Sequence, residues 1–95
     1  MESKIVFPHE INLGNIVLPN INSFMVENIT DKELTITVNG SCGCINIPVQ
    51  TIVIPALNSS SISFFIGIKR VDTKEIHLNE ALTNKHLGSI KVSWQ

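Results

Sequence analysis

Apolar and polar residues alternate along four separate stretches of this chain. In the clearest of them, Leu34, Ile36 and Val38 are separated by single Thr residues. Because successive side chains of a strand point to opposite faces of a sheet, this period of two predicts a strand with one buried face. The same alternation includes Phe24, Val26 and Asn28, then Ile62, Phe64, Ile66 and Ile68, and finally Ile90, Val92 and Trp94.

The composition also favours strands over helices. The chain has 15 Ile, 8 Val and 6 Thr but only 2 Ala, and β-branched side chains suit a pleated sheet better than a helix. Two short apolar segments at 4–7 and 10–18 predict a first strand that is kinked at Pro8. Turn residues recur every 8–12 positions, a spacing typical of β-sandwiches. We therefore expect one all-β domain over residues 1–95, a sandwich of six to seven strands.

Residues 69–86 interrupt this pattern and form a predicted insertion. The stretch opens with Lys69 and Arg70, and residues 75–82 predict one or two helical turns. Its apolar residues are too numerous for a loop that is exposed on all sides, so they either cap one end of the core or form a docking surface. These residues are Val71, Ile76, Leu78, Leu82 and Leu87.

The turn Ser41-Cys42-Gly43-Cys44 stands within a recognisable order of short motifs. Leu13-Gly14-Asn15-Ile16 precedes it, the strand over 34–38 leads into it, and Ile52-Val53-Ile54-Pro55 follows it. Over residues 10–68 this order resembles the bacterial domain of unknown function 1573. That family is immunoglobulin-like and related to the Hydin-like and major-sperm-protein-like sandwiches. The resemblance implies the same sandwich fold for this chain.

The resemblance also implies one more strand than the sequence contains at its C-terminal end. The segment 88–94 is similar to the penultimate strand of the family, and only Gln95 follows it. A sandwich whose last strand is missing exposes unpaired backbone groups, which invite pairing with another chain. We expect either that a neighbouring molecule covers this edge, or that residues 71–82 or 4–7 fold back to fill it.

The charge and the N-terminus argue against several classes of function. The chain has 7 Lys plus Arg against 8 Asp plus Glu, a net charge of −1, whereas nucleic-acid binding needs a clustered basic excess. No apolar run approaches the roughly 18 residues of a membrane span. Pro8 ends an N-terminal apolar run of three residues, which is too short for a signal peptide. We therefore expect a protein of the cytoplasm or of a virion.

Cys42 and Cys44 are weak candidates for a metal site. A structural zinc ion usually has four Cys or His ligands, and the remaining candidates, His9, His77 and His86, show no ligand spacing. We therefore expect structural cysteines and predict neither a metal nor a cofactor. Catalysis would need a nucleophile with an activating base held by a third group. The sequence offers no such set, so we expect no catalytic residues and no enzymatic activity.

Two sets of residues are candidates for protein contacts. Phe65 falls on the polar face of its predicted strand, and with Met25 it marks an exposed apolar patch, a feature that usually indicates a contact surface. Ile90, Val92 and Trp94 lie on the strand next to the predicted open edge.

These features favour a structural or interaction module that docks on a protein partner or assembles with itself. A small sandwich of this kind suits a virion, for example as a bacteriophage auxiliary or capsid-decoration protein, by analogy of fold. Two alternatives stay open. The first alternative is a bacterial adaptor or envelope-associated protein-binding domain. The second is a metal-binding or redox domain that uses Cys42 and Cys44.

Overall fold

The computed structural model describes residues 4–17, 19–40, 45–67 and 72–94, so the turn with Cys42 and Cys44 lies outside the described residues. Within those ranges the chain forms nine strands in two sheets. They are β1 (Ile5–Val6), β2 (Glu10–Asn12), β3 (Asn20–Asn28), β4 (Leu34–Gly40), β5 (Ile45–Asn46), β6 (Thr51–Ile54), β7 (Ser59–Ile66), β8 (Asp72–Glu80) and β9 (His86–Trp94). In the described part of the chain, no helix is long and apolar enough to cross a membrane.

The two sheets enclose one core. The first sheet has the strand order β1-β3-β7-β5, and the second has the order β2-β9-β8-β4-β6. All neighbouring strands are antiparallel except β2, which runs parallel to β9. The inward side chains of both sheets pack together, with Phe24, Phe64 and Trp94 as the large members. The all-β class and the immunoglobulin-like sandwich are therefore confirmed.

The predicted first strand is in fact two strands that belong to different sheets. β1 pairs with β3, whereas β2 pairs with β9. Pro8 lies between them, and because proline has no N–H it cannot continue a hydrogen-bonded ladder. The predicted number of six to seven strands was also too low, because three of the strands are very short. β1, β2 and β5 are only two or three residues long, which is too short to show an alternation.

The region predicted as an insertion contains a full strand, β8. This strand pairs with β4 on one side and with β9 on the other. Ile76 and Leu78 are completely buried in the core, whereas Leu82 is exposed in the turn that follows. The helical prediction for residues 75–82 is therefore wrong, because pairing on both sides outweighs a weak local propensity. Leu87 packs against the core, and Val71 lies outside the described residues.

β9 is an interior strand and not an open edge. β8 flanks it on one side, and β2 flanks three of its residues on the other. The N–H of Lys91 also donates to the carbonyl oxygen of His9 at 2.9 Å. The prediction of a missing last strand beside this segment is thus corrected. Residues 72–80, within one of the two segments proposed from the sequence, pair with β9 as strand β8. β2 covers the other side of β9, whereas β1 pairs with β3 instead.

An ion pair connects the two sheets near the end of β8. The Lys4 ammonium, just before β1, donates to a carboxylate oxygen of Glu80 at 2.6 Å. This hydrogen bond is the main cause that lowers the pKa of Glu80 below its ordinary value. The ion pair needs the charged form of Glu80. Its contribution to stability is therefore present above the ordinary pKa of a glutamate and is lost as the pH falls through the lowered pKa of Glu80.

The ring of Phe7 leaves no room for a side chain at Gly88 of β9. A methyl group built on its Cα would overlap the Cζ atom of Phe7, whose ring lies directly against this glycine. Phe7 is half-buried and packs on the core, so the ring can move outward at some cost. We expect Gly88→Ala to lower the free energy of unfolding by about 1–3 kcal/mol, the usual cost of overpacking, in urea titrations. In a Phe7→Leu background the same substitution should cost clearly less; an equal cost would contradict this packing.

Candidate interaction surface

The structure buries three of the five predicted contact residues. Ile90, Val92 and Trp94 are inward-facing residues of β9, and Trp94 is only 2% exposed. Their alternation places all three on the core face, and the pairing of β9 with β8 and β2 occupies the backbone on both sides. The prediction that they form a contact surface is therefore corrected: these side chains hold the sandwich together.

Met25 and Phe65 lie on the outer face of the four-stranded sheet, but not beside each other. Met25 is opposite Ser61, whereas Phe65 is opposite Ile21. Ser61 and Phe65 are four positions apart along β7, a distance of roughly 13 Å at about 3.3 Å per residue. Met25 is 54% exposed and Ile21 is 74% exposed. The outer face therefore has two separate apolar spots, and Ile21 is the neighbour of Phe65 that the sequence pattern did not identify.

The histidines considered as metal ligands are divided between two places. His9 follows β1, and its ring packs against Phe7 with ring centres 5.1 Å apart. His77 and His86 lie on the neighbouring strands β8 and β9, with ring centres 6.0 Å apart. Among the residues that the structure describes, no group of three or more His, Cys, Asp or Glu could hold a metal ion.

One side of β7 is largely open. On one side it pairs with β3 along its whole length, but on the other side β5 pairs only with Phe65 and Ile66. No described residue pairs with the same side of Ser59–Phe64. The cause is local, because Pro48 follows β5 closely and the chain then crosses to the other sheet, where β6 pairs with β4. We call this six-residue stretch the β7 edge.

The hydrogen-bonding groups of the β7 edge can be assigned from one bond. The carbonyl oxygen of Asn58 accepts a bond from the N–H of Asn28 at 2.8 Å, so it faces β3. In an antiparallel pair, successive residues direct their backbone groups to opposite sides. Residues 60, 62 and 64 therefore bond to β3, whereas the N–H and C=O groups of Ser61 and Ser63 face outward along the open side.

A groove runs beside the β7 edge and has β6 as its other wall. It is lined by Pro48, Val49, Thr51, Ile52, Val53 and Ser60–Ser63. Val49 is 62% exposed and Val53 is 52% exposed. Small hydroxyl side chains on β7 and branched apolar side chains on β6 thus form a shallow channel between the two strand edges.

The strands β4, β5, β6 and β7 contain no charged residue. Residues 34–68 contain no Asp, Glu, Lys, Arg or His, and this run includes β4, β5, β6 and β7 in full. Proteins commonly protect open edges with charged side chains, above all Lys, and the β7 edge has no such protection. A charge-free run of 35 residues in so short a chain is the sequence signal that could have located this surface.

No family model matches the chain, and no curated protein matches its sequence, so the resemblance to the domain of unknown function 1573 is not confirmed. Solved structures do match. WR4, an MSP family member from C. elegans, is 14% identical with a TM-score of 0.73, and the match covers 98% of this chain and 97% of that one. The ASH/PapD-like domain 7 of human CEP192 is 8% identical with a TM-score of 0.70, covering 98% of this chain and 84% of that one.

The E. coli chaperone DraB also shares the arrangement of strands. It is 9% identical with a TM-score of 0.76, and the match covers 96% of this chain but only 54% of the chaperone. At such low identity these likenesses establish the architecture and nothing finer. The chain has the fold of the MSP-like and PapD-like immunoglobulin-type sandwiches.

Proposed function

We propose that this protein is a non-enzymatic protein-binding module that takes up an extended segment of a partner along the β7 edge. The observation that carries the proposal is the six-residue stretch of β7 that has no strand partner on one side among the described residues, next to an uncharged groove. Outward N–H and C=O groups at Ser61 and Ser63 supply the backbone pairing, which gives affinity in this mode of recognition. The side chains that line the groove determine which partner sequences bind.

The chemistry of the edge defines the partner segment. The segment continues the direction of β5, antiparallel to β7, from the point where Pro48 ends that short strand. Every second side chain then falls into the groove towards Val49 and Val53. Because the groove has no charged group to pair with, burying a charged side chain there would be costly. We therefore expect β-branched or small apolar residues at alternate positions of the segment.

We further propose that the module docks on a larger assembly. The assembly is a virion, and the protein is a bacteriophage auxiliary or capsid-decoration protein. The alternative is a bacterial adaptor or envelope-associated domain. Light scattering on the purified chain separates the two, because self-assembly favours the first and a stable monomer favours the second. The further alternative, a metal or redox role of Cys42 and Cys44, is tested by metal analysis of the purified protein.

A proline on the β7 edge tests the binding mode directly. Proline is tolerated in edge strands where its missing N–H would face solvent, so Ser61→Pro removes an outward donor and leaves the bonds to β3. Peptides selected from a random 12-residue display library on the full chain serve as probes. We expect Ser61→Pro to weaken their binding at least tenfold, measured by titration calorimetry.

Ser61→Ala is the matched control, because it removes the hydroxyl group and keeps the backbone N–H. It should leave peptide affinity within about twofold of the original, and circular dichroism should show that both variants fold. Peptide binding should also slow hydrogen exchange at the amides of Ser61 and Ser63. Selected peptides that bind the Ser61→Pro variant as tightly as the original chain would contradict the proposed mode.

A further inference from the structure

The strand β3 has an open side along most of its length. On one side β7 pairs with it from Asn20 to Glu27, but on the other side β1 pairs only with Glu27 and Asn28. The cause is Pro8, which ends β1, since the chain then leaves this sheet and continues as β2 beside β9. Among the described residues, the stretch 20–26 therefore has no strand partner on this side. We call it the β3 edge.

A hydrogen bond just beyond β3 shows which backbone groups face the open side. The N–H of Ile29 donates to the carbonyl oxygen of Lys4, just before β1, at 3.1 Å, so the backbone of residue 29 faces the β1 side. In an antiparallel sheet, successive residues direct their backbone groups to opposite sides. The N–H and C=O groups of Ile21, Ser23 and Met25 therefore face outward along the β3 edge.

The side chains of the same three residues lie on the outer face of the sheet, and the two larger ones are apolar. Ile21 and Met25 are each more than half exposed to solvent. Residues 20–26 contain no Asp, Glu, Lys, Arg or His, although charged side chains, above all Lys, commonly protect an open edge. The β3 edge is thus uncharged, and its outward backbone groups can pair with another strand.

We propose that two copies of this chain form a dimer by antiparallel pairing of their β3 edges, with the two-fold axis at Ser23. This register is the one that pairs the whole stretch 20–26 of both copies. It places Ser23 opposite the partner's Ser23, and Ile21 opposite the partner's Met25 on each side of the axis. Each of these pairs exchanges two N–H···O bonds. No charged residue of the paired stretch faces a like charge, which would be destabilising.

The proposed register joins the two separate apolar spots of the outer face. Within one copy, Phe65 is opposite Ile21, and Met25 is opposite Ser61. Across the interface Ile21 meets the partner's Met25, so that Phe65, Ile21 and the partner's Met25 form one row. Side chains directly opposite each other have Cβ atoms about 4.5–5.5 Å apart, which is close enough for contact. The second copy thus covers the two exposed side chains that a single copy leaves in water.

A second copy suits the β3 edge because the edge is complementary to itself. Its outward residues are apolar at both ends and small in the centre, so a two-fold axis brings apolar against apolar. Such a contact closes as a dimer and forms no fibre, and it leaves the β7 edge of each copy free. The contact is short and lies at the low end of interface sizes, below roughly 1,200 Å². We therefore expect a reversible dimer with a Kd on the order of 1–100 µM.

The test is analytical ultracentrifugation of the full chain over a concentration series from about 1 to about 500 µM, which spans this Kd. We expect the mass to rise from one chain to two. Ser23→Pro removes the central outward N–H at an edge position that tolerates proline, and it should weaken the dimer at least tenfold. Ser23→Ala is the matched control, because it keeps the N–H, and it should leave the Kd within about twofold.

A pair of charged variants tests the register. Ile21→Lys and Met25→Glu should each weaken the dimer at least tenfold. Mixed in equal amounts, they should associate more tightly than either variant alone, because the introduced lysine of one faces the introduced glutamate of the other. Leu82→Lys is the matched control, since Leu82 is 90% exposed in the turn after β8, and it should dimerise as the original chain does.

Circular dichroism should show that all these variants fold. A chain that stays monomeric up to about 500 µM, well above the expected Kd, would overturn the proposal. A mixture of the two charged variants that associates no better than either alone would overturn the register. Loss of the dimer in Ser61→Pro but not in Ser23→Pro would move the contact to the β7 edge and also overturn the proposal.

Discussion

Replacing Trp94 by alanine is expected to lower the free energy of unfolding by about 3–5 kcal/mol, the usual cost of removing a large buried aromatic side chain. The indole is 2% exposed and lies in the core between the two sheets. A domain of this size is usually stable by only about 5–14 kcal/mol. The substitution therefore removes a large fraction of the total, although Trp94 is the second-last residue of the chain.

Urea unfolding followed by circular dichroism measures this loss, since the variant has no other tryptophan to report by fluorescence. Trp94→Phe is the matched control and should cost less than Trp94→Ala, because it keeps an aromatic ring in the core. In the original chain, the emission of Trp94 should shift to longer wavelength on unfolding. A cost below about 1 kcal/mol for Trp94→Ala would contradict the burial of the indole between the two sheets.

The second large effect is expected at Asn28, the buried polar residue at the end of β3. Its amide nitrogen lies 2.8 Å from the carbonyl oxygen of Lys32, 2.9 Å from that of Ile54 and 3.2 Å from that of Pro55. Its Oδ1 accepts bonds from the N–H and the hydroxyl group of Thr30 at 2.9 and 2.7 Å. One side chain thus connects the end of β3, the following turn and the end of β6.

We expect Asn28→Ala to lower the free energy of unfolding by about 2–4 kcal/mol, because it leaves several buried polar groups without partners. Thr30→Ala removes one hydroxyl from the same network and should cost about 1 kcal/mol. Asn39→Ala, at an exposed position of β4, is the matched control and should cost less than about 0.5 kcal/mol. Equal losses at Asn28 and Asn39, in urea titrations, would contradict the network.

Much of the fold could be predicted from local pattern. The strands β3, β4, β7 and β9 appear in the sequence as alternations of apolar and polar residues, and their inward positions are those that the structure buries. The position of Asn28 on the inward side of β3 follows from the same alternation. β8 was missed because charged residues open the region, although Ile76 and Leu78 keep the period of two. Very short strands such as β1 and β5 contain too few residues to show any period.

The candidate sites depended on long-range pairing. The sequence places no charge over residues 34–68, but only the crossing of the chain after Pro48 turns that run into an open edge. Met25 and Phe65 share a face as the alternation predicted, whereas the register between β3 and β7 separates them. Ile21 and Met25 lie on the same strand, and only the crossing of the chain at Pro8 leaves their edge without a strand partner among the described residues.

The sequence by itself therefore determined the class of fold, the faces of the long strands and the uncharged run of residues 34–68. These properties follow from side-chain periodicity and composition, which act locally. The tertiary structure decided which strand edges are covered and which side chains meet across strands. Those outcomes depend on register and on strand order, and a single shift of one residue in pairing would reverse them.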